Sequence, residues 1–260
     1  MERCARVQRT TRETNVLVEV RLDGQGRAVV EMRVAFLKHL IEVLSHHSLM
    51  DVTIRAEGDL IHHLVEDTAL ALGAAMNQAL GERTGIMRFG SALVPLDEAL
   101  AWASVDLARR PFSVTDLKLQ REMIEDLPRE DIAHFLRSLA TAMEACVHIV
   151  VHYGENDHHK IEAGVKALAL ALRAAMSPDP RRSGVPSSKG VICPCAFSSS
   201  ITASGICSAC GRLWSARGWT RSYRPTCLRP RTSRPSSSLE WGTSRRWPSG
   251  SEDFESACNG

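Results

Sequence analysis

Two short stretches, His62-His63-Leu64-Val65-Glu66 and His158-His159-Lys160-Ile161-Glu162, decide how this chain is organised. Both have the pattern H-H-x-x-E, and they stand 96 positions apart. The match extends upstream, because His39 precedes the first histidine pair by 23 residues and His134 precedes the second by 24. One such motif can arise by chance, whereas two in matching frames indicate an internal repeat.

Each copy of the repeat predicts an amphipathic helix, a β-strand, a glycine turn and a second helix opened by the paired histidines. The helices are predicted from apolar stripes of helical period. These stripes are Phe36, Leu37, Leu40, Ile41 and Leu44; Ile132, Phe135, Leu136, Leu139 and Met143; and Ile161, Val165, Leu168 and Leu172.

Strands are predicted from alternating apolar residues and β-branched runs. They cover residues 16–22, 27–34, 52–56, 102–107 and 147–153. The turn Asp23-Gly24-Gln25-Gly26 predicts that the first two strands form a hairpin. The expected fold class is α+β, with two similar sheet-plus-helix halves related by internal duplication and helices on one face of each sheet.

The composition changes near residue 190. The whole chain has 32 Lys+Arg and 30 Asp+Glu, a net charge of +2, so no overall field attracts nucleic acid or a membrane surface. Residues 191–260 hold six of the eight cysteines and four of the five tryptophans, among many Ser, Arg and Pro. We expect one folded domain over 1–190, with repeats at about 1–95 and 96–190, and a disordered low-complexity tail over 191–260.

Cysteine usage and the N-terminus predict the compartment. The first 190 residues contain only Cys4 and Cys146, too few for a disulfide framework. Residues 1–14 hold no apolar run of signal-peptide length, and no segment reaches the roughly 18 apolar residues that a membrane span needs. The chain is therefore expected to be a soluble cytoplasmic protein with no membrane or nucleic-acid partner.

The paired histidines have the spacing of a dinuclear metal site. Adjacent helical residues point about 100° apart, so His62 and His63 serve two ions more easily than one. Glu66 shares a helical face with one of them, and the second motif repeats this geometry. If they are shared evenly, three His and one Glu per ion leave two octahedral positions open for a substrate. Such ligands suit Mn, Fe, Ni or Zn. The predicted ligands are His39, His62, His63, Glu66, His134, His158, His159 and Glu162.

Two other classes of function stay open on these residues. One is a different dinuclear metalloenzyme acting on a small phosphorylated substrate, such as a hydrolase with a bridging hydroxide. The other is a non-enzymatic metal-binding or nucleic-acid-binding module, with zinc held in the tail. Its weak signal is C-x-C followed by C-x-x-C, at Cys193, Cys195, Cys207 and Cys210.

Eight stretches in order between Arg9 and Gly190 resemble the imidazoleglycerol-phosphate dehydratase family. They are R-T-T-R-E-T (9–14), F-L-K-H-L (36–40), H-H-L-V-E-D (62–67), G-I-M-R-F-G (85–90), P-L-D-E-A-L (95–100), R-R-P (109–111), G-E-N-D-H-H-K-I-E-A (154–163) and P-S-S-K-G (186–190). The resemblance implies two α+β halves related by a pseudo-twofold axis. It also implies a homo-oligomeric shell of 24 subunits with two divalent ions, Mn²⁺, per active site and ligands from neighbouring subunits.

The resemblance further implies a reaction and a role for each matching residue. The reaction removes water from imidazole glycerol phosphate to give imidazole acetol phosphate in histidine biosynthesis, which makes residues 1–190 a catalytic domain. The eight predicted ligands match the family's metal ligands. Glu13 matches the carboxylate that removes the proton, while His47 and Lys166 match polar groups beside the reacting glycerol.

The resemblance also implies a phosphate pocket, because a phosphomonoester needs fixed cations and neutral donors. Its matching residues are Arg88, Arg110, Ser187 and Lys189. Two positions depart from the family's usual pattern. Lys38 stands where the family usually has Asp, and a cation there opposes metal binding unless it points away from His39. The segment 58–62 before the first histidine pair is shorter than usual.

Overall fold

The computed structural model describes residues 3–190 and residue 192. The first half contains β1 (Cys4–Thr10), β2 (Thr14–Arg21), β3 (Ala28–Glu31), α1 (Ala35–Ser48), β4 (Asp51–Gly58) and α2 (Ile61–Leu80). The second half contains β5 (Phe89–Leu96), β6 (Ala99–Asp106), β7 (Phe112–Asp116), the short strands β8 (Met123–Ile124) and β9 (Leu127–Pro128), α3 (Arg129–Ala142), β10 (Cys146–Tyr153) and α4 (Asp157–Met176). The predicted disordered tail and its zinc-type cysteines lie outside the described residues.

The two halves have the same sheet topology. The strand orders are β1-β2-β4-β3 and β5-β6-β10-β7. In each sheet the central pair is antiparallel and the last pair is parallel. Even the buried pairs correspond, with Val18 opposite Ile54 in one sheet and Ala103 opposite Ile149 in the other. The predicted α+β fold with two duplicated halves is therefore confirmed.

The four helices lie between the two sheets. Helices α1 and α2 pack on the first sheet and α3 and α4 on the second, while α1 also packs against α4 and α2 against α3. Leu37 and Leu72 are fully buried in this shared core and Leu168 is 2% exposed. Burying such a side chain stabilises a fold by about 1.5–3 kcal/mol. The contacts between α1 and α4 and between α2 and α3 bring helices of different repeats side by side.

The predicted hairpin between residues 16–22 and 27–34 is wrong. In the first sheet β4 lies between β2 and β3, antiparallel to the former and parallel to the latter. The Asp51 carboxylate at the start of β4 accepts hydrogen bonds from the backbone N–H groups of Gln25 (2.8 Å) and Arg27 (3.0 Å). These bonds fix the glycine turn to β4, so the chain crosses its end instead of reversing beside β2.

Within residues 3–190, every helix falls short of the combined length and apolarity that crossing a membrane requires. Both described cysteines, Cys4 and Cys146, are free.

Candidate metal centre and active site

Helices α2 and α3 bring together the first group of predicted metal ligands, which we call the α2–α3 half-site. It consists of His62 and Glu66 on α2 and His134 on α3, with one ligand atom of each within 4.8 Å of the others. The Nε2 atom of His134 lies 3.7 Å from the Glu66 carboxylate. The rings of His62 and His134 stack with their centroids 5.0 Å apart. Because His62 and Glu66 are four residues apart, one helical face presents both to α3.

Helices α4 and α1 form the corresponding α1–α4 half-site from His158, Glu162 and His39. The Glu162 carboxylate lies 3.3 Å from the Nε2 atom of His158 and 3.5 Å from that of His39. The pseudo-twofold relation thus exchanges the two half-sites. Each one takes two side chains from one repeat and a single histidine from the other.

The second histidine of each pair lies outside both half-sites. Nδ1 of His63 is 2.8 Å from the Asp59 carboxylate, and Nδ1 of His159 is 2.8 Å from that of Glu98. These contacts raise the pKa of both imidazoles. With Asp97, the pair of Glu98 and His159 forms a third cluster able to hold a cation. A single chain therefore brings two His and one Glu to each half-site, and not the three His that even sharing predicts.

The donor atoms of the half-sites fit a divalent metal ion. The Nε2 atom of His134 is buried and has no hydrogen-bond partner within residues 3–190. A buried nitrogen left in this way costs about 1–3 kcal/mol, and a metal ion would satisfy its lone pair. Imidazole and carboxylate donors without a thiolate suit a divalent cation with exchangeable positions.

Two predicted catalytic residues lie beside the α1–α4 half-site. Lys166 Nζ is 3.0 Å from the Glu162 carboxylate. Burial alone would raise the pKa of Glu162, but hydrogen bonds and positive charge from Lys166 and His39 outweigh burial and lower the pKa. Lys166, Glu162, His39 and His47 line a cleft of about 410 Å³. Burial, together with the charges of His46 and Lys166, lowers the pKa of His47.

The predicted base Glu13 lies between β1 and β2, next to His63. Its carboxylate is 3.5 Å from His63 Nδ1, and its side chain is 56% exposed. Neighbouring residues attach this loop to α2, because the Asp67 carboxylate accepts hydrogen bonds from Arg9 Nε (2.6 Å) and from the Thr14 hydroxyl. The stretch R-T-T-R-E-T thus holds Glu13 over the first turns of α2.

The predicted phosphate-binding residues lie at the end of the second sheet where β10 begins. Arg88 binds the Asp106 carboxylate through two nitrogens (2.7 and 3.1 Å) and donates to the carbonyl of Pro186 (2.8 Å). That bond brings Ser187 and Lys189, in the turn after Pro186, towards Arg88. Burial and Asp106 raise the pKa of the Cys146 thiol, whereas the nearby charge of Arg110 opposes this rise.

Within one chain the phosphate-binding group is far from the α4 histidines. Cys146, the first residue of β10, pairs with Asp106 in the sheet, whereas α4 begins after Tyr153, the last residue of β10. An eight-residue strand spans roughly 23 Å at the usual rise per residue. The structure therefore does not bring Arg88, Ser187 and Lys189 together with His158 in a single subunit.

The structure shows the local contacts at the two departures from the family pattern. Lys38 Nζ lies 3.9 Å from the carboxylate of Glu42, one turn further along α1, so an acidic partner accompanies this cation. The short segment before the first histidine pair leaves two residues between β4 and α2. One of them, Asp59, accepts hydrogen bonds from the backbone of Leu60 (2.6 Å) and contacts His63.

Several carboxylates around the predicted ligands were not predicted from the sequence. Asp131 lies 2.6 Å from Nδ1 of His62. Glu98 accepts hydrogen bonds from the Asn156 backbone and from His159, which lower its pKa to about 2. The repeat contains a signal for Glu98, because it directly precedes β6 as Glu13 directly precedes β2.

Comparisons with known proteins agree with this architecture. The sequence profile of the family "Imidazoleglycerol-phosphate dehydratase" matches residues 32–172. The imidazoleglycerol-phosphate dehydratase of Streptomyces avermitilis is 48% identical over 197 residues, which is 74% of this chain and all of the relative. That of Symbiobacterium thermophilum is 47% identical over 194 residues, which is 74% of this chain and 93% of the relative.

Solved structures of this enzyme have a similar fold. The crystal structure from Staphylococcus aureus is 28% identical with a TM-score of 0.62, and the match covers 67% of this chain and 99% of that one. The structure from Pyrococcus furiosus, in complex with (S)-C348, is 34% identical with a TM-score of 0.62, and the match covers 71% of this chain and 99% of that one. By sequence and by structure, this chain belongs to the imidazoleglycerol-phosphate dehydratase family.

Proposed function

We propose that this protein is a metal-dependent hydro-lyase of histidine biosynthesis that converts imidazole glycerol phosphate to imidazole acetol phosphate. Family membership at 48% identity supports the reaction and its substrate. The observation that carries the proposed site is the packing of α1 on α4 and of α2 on α3, which gathers two His and one Glu at each of two equivalent places.

The proposed cofactor is a pair of Mn²⁺ ions, one for each half-site. Four protein ligands per ion require one more histidine at each half-site. His63 and His159 are the remaining members of the set, and each lies outside the half-sites of its own chain. A second copy of the chain would supply them, which supports a homo-oligomer such as the 24-subunit shell implied by the resemblance. When bound, such ions would hold the substrate's imidazole and stabilise negative charge that develops on it.

The distance between the predicted phosphate-binding residues and the half-sites within one chain supports the same assembly. Arg88, Arg110, Ser187 and Lys189 are the proposed phosphate-binding residues. Arg88 is already held by Asp106 and presents a fixed cation, while Arg110 is exposed and makes no ion pair within residues 3–190. A complete active site therefore needs the phosphate-binding residues of one subunit beside the half-sites of another.

Three side chains are assigned to proton transfer and hydroxyl departure. The exposed carboxylate of Glu13 removes the proton from carbon. Lys166, held by Glu162 at 3.0 Å, positions the departing hydroxyl. His47 lines the same cleft and has a lowered pKa, so it is largely neutral at neutral pH and able to accept or donate a proton.

Turnover of imidazole glycerol phosphate by metal-stripped protein, with and without restored Mn²⁺, tests the proposal. Stripping should abolish dehydration and Mn²⁺ should restore it. His134→Ala removes the buried nitrogen of one half-site, so bound metal and turnover should fall together. The matched control is His152→Ala, an exposed histidine of β10 outside the three clusters, which should retain both. Full activity in stripped protein or in His134→Ala would exclude the proposed site.

A further inference from the structure

The two half-sites match in their ligands but differ in what surrounds them. In the repeat, His62 on α2 corresponds to His158 on α4. Likewise, His134 on α3 corresponds to His39 on α1. Asp131 stands three residues before His134, one helical turn away along α3. The residue three positions before His39 on α1 is Phe36. A carboxylate in one repeat therefore corresponds to an apolar ring in the other.

These two corresponding residues contact corresponding histidines. The Asp131 carboxylate is 2.6 Å from His62 Nδ1, and only 4% of its side chain is exposed. The ring of Phe36 is also buried, and its centroid lies 4.9 Å from that of the His158 ring. The α2–α3 half-site thus has a buried carboxylate behind its helix-opening histidine, where the α1–α4 half-site has a phenyl group.

The Nδ1 atom of His158 has a different and weaker partner. It is 3.3 Å from the carboxylate of Glu125, which stands between β8 and β9 with 52% of its side chain exposed. Water competes for such an exposed contact, whereas Asp131 is shielded from water. His158 is therefore held less firmly at Nδ1 than His62.

The different partners of Nδ1 in His62 and His158 affect the other ring nitrogen, Nε2, which is the proposed metal donor. A carboxylate that binds Nδ1–H keeps the proton on that nitrogen, leaves the lone pair on Nε2 and makes the imidazole a stronger donor to a metal. Losing such a partner typically lowers metal affinity by about 10–100-fold. A buried carboxylate also costs free energy unless positive charge lies nearby. A metal ion bound at Nε2 of His62 would supply that charge to Asp131.

We propose that Asp131 is a positioning residue that makes the α2–α3 half-site the tighter of the two metal sites. The ion at the α1–α4 half-site, backed by Phe36, is then the more readily exchanged one. This inference rests on the proposed two-ion site, although it concerns metal affinity and not turnover.

The test is a Mn²⁺ titration of the stripped, assembled full-length protein without substrate. Free Mn²⁺ is followed by electron paramagnetic resonance and bound Mn²⁺ by equilibrium dialysis. The wild type should bind in two classes of equal number, at least tenfold apart in dissociation constant. His39→Ala should remove the weaker class and His62→Ala the tighter one, which assigns each class to its half-site.

Asp131→Asn then tests the carboxylate itself, since it keeps the shape of the side chain and removes its charge. The tighter class should weaken by about 10–100-fold, with circular dichroism and oligomer size unchanged. The control Glu125→Gln should leave the tighter class as it is. The inference is overturned if wild-type protein binds two ions with equal affinity, if His62→Ala removes the weaker class, or if a folded Asp131→Asn protein keeps the tighter class.

The wild-type titration ranks the two sites even if Asp131→Asn does not fold. The outcomes also separate this inference from the proposed function. Two classes of Mn²⁺ site without dehydration of imidazole glycerol phosphate would support the unequal sites and reject the activity. Dehydration by a protein with two equal Mn²⁺ sites would support the activity and reject the unequal sites.

Discussion

Glu13 differs from the residues of the two half-sites in position. Its carboxylate is more than half exposed and lies beside His63, outside both half-sites. Glu13→Gln should therefore lower kcat by about 10²–10⁴-fold, the usual contribution of a general base, and leave bound Mn²⁺ unchanged. Steady-state kinetics with metal analysis on the same samples measure both effects.

The control for this substitution is Glu57→Gln, an exposed glutamate on β4, which should keep wild-type kcat. If Glu13→Gln instead lost metal and activity in parallel, Glu13 would be acting through His63 and not on the substrate.

Repeated spacing explains why the candidate ligands could be found from sequence alone. The repeat predicted that Glu66 shares a helical face with either His62 or His63, because three or four residues separate neighbours on one face. The structure pairs Glu66 with His62. The repeat did not predict that His134 joins that pair, since this contact depends on how α3 packs on α2. Asp131 was missed for the same reason. The roles of all eight residues as ligands stay predictions.

Strands could be located from sequence better than they could be paired. The alternation in residues 16–22 predicted β2, but nothing in it showed that β4 would separate β2 from β3. Strands β1 and β5 were not predicted. The burial of β1 alternates only between partly exposed and exposed residues, and β5 contains glycine, serine and proline, which lack strong β-propensity.

The contact between β5 and α4 leads to a prediction about one element. A Cβ atom on Gly90 would lie 1.9 Å from the backbone oxygen of Ala171 and 2.7 Å from the nitrogen of Ala175. Backbone atoms on α4 cannot rotate away as a side chain can, so Gly90→Ala should lower the free energy of unfolding by about 3 kcal/mol or more. Urea unfolding of the metal-free protein measures this change.

Gly184→Ala is the matched control, because nothing lies within 4 Å of its Cβ position. Its free energy of unfolding should stay within about 0.5 kcal/mol of wild type. Wild-type stability in Gly90→Ala would show that β5 and α4 are further apart than described.

On the scale of the whole chain, we predict that residues 191–260 are dispensable. The Streptomyces avermitilis relative is matched over its full length by 74% of this chain, and Ser, Arg and Pro interrupt each short apolar run after Gly190. Truncation after Gly190 should therefore preserve or raise both turnover and oligomer size, as measured by kinetics and light scattering against the full chain.

A truncated protein that assembles but is inactive, and regains activity when the tail and zinc are supplied, would contradict this prediction and favour a zinc module.

The cytoplasmic location also stays a prediction from cysteine usage and the N-terminus. The duplicated architecture was predictable because the sequence repeat shows it directly, whereas oligomer size depends on surfaces that periodicity does not describe.

The packing of α1 on α4 and of α2 on α3, helices of different repeats, determines how the two half-sites can diverge in sequence. Because each half-site takes one helix from each repeat, a free-standing single repeat would have to pair with a second copy of itself to build either one. Two identical copies would then yield two identical sites, and every substitution would alter both. Fusion into one polypeptide removes that restriction. A mutation at Asp131 or Phe36 changes one site alone, so selection can tune one ion without disturbing the other.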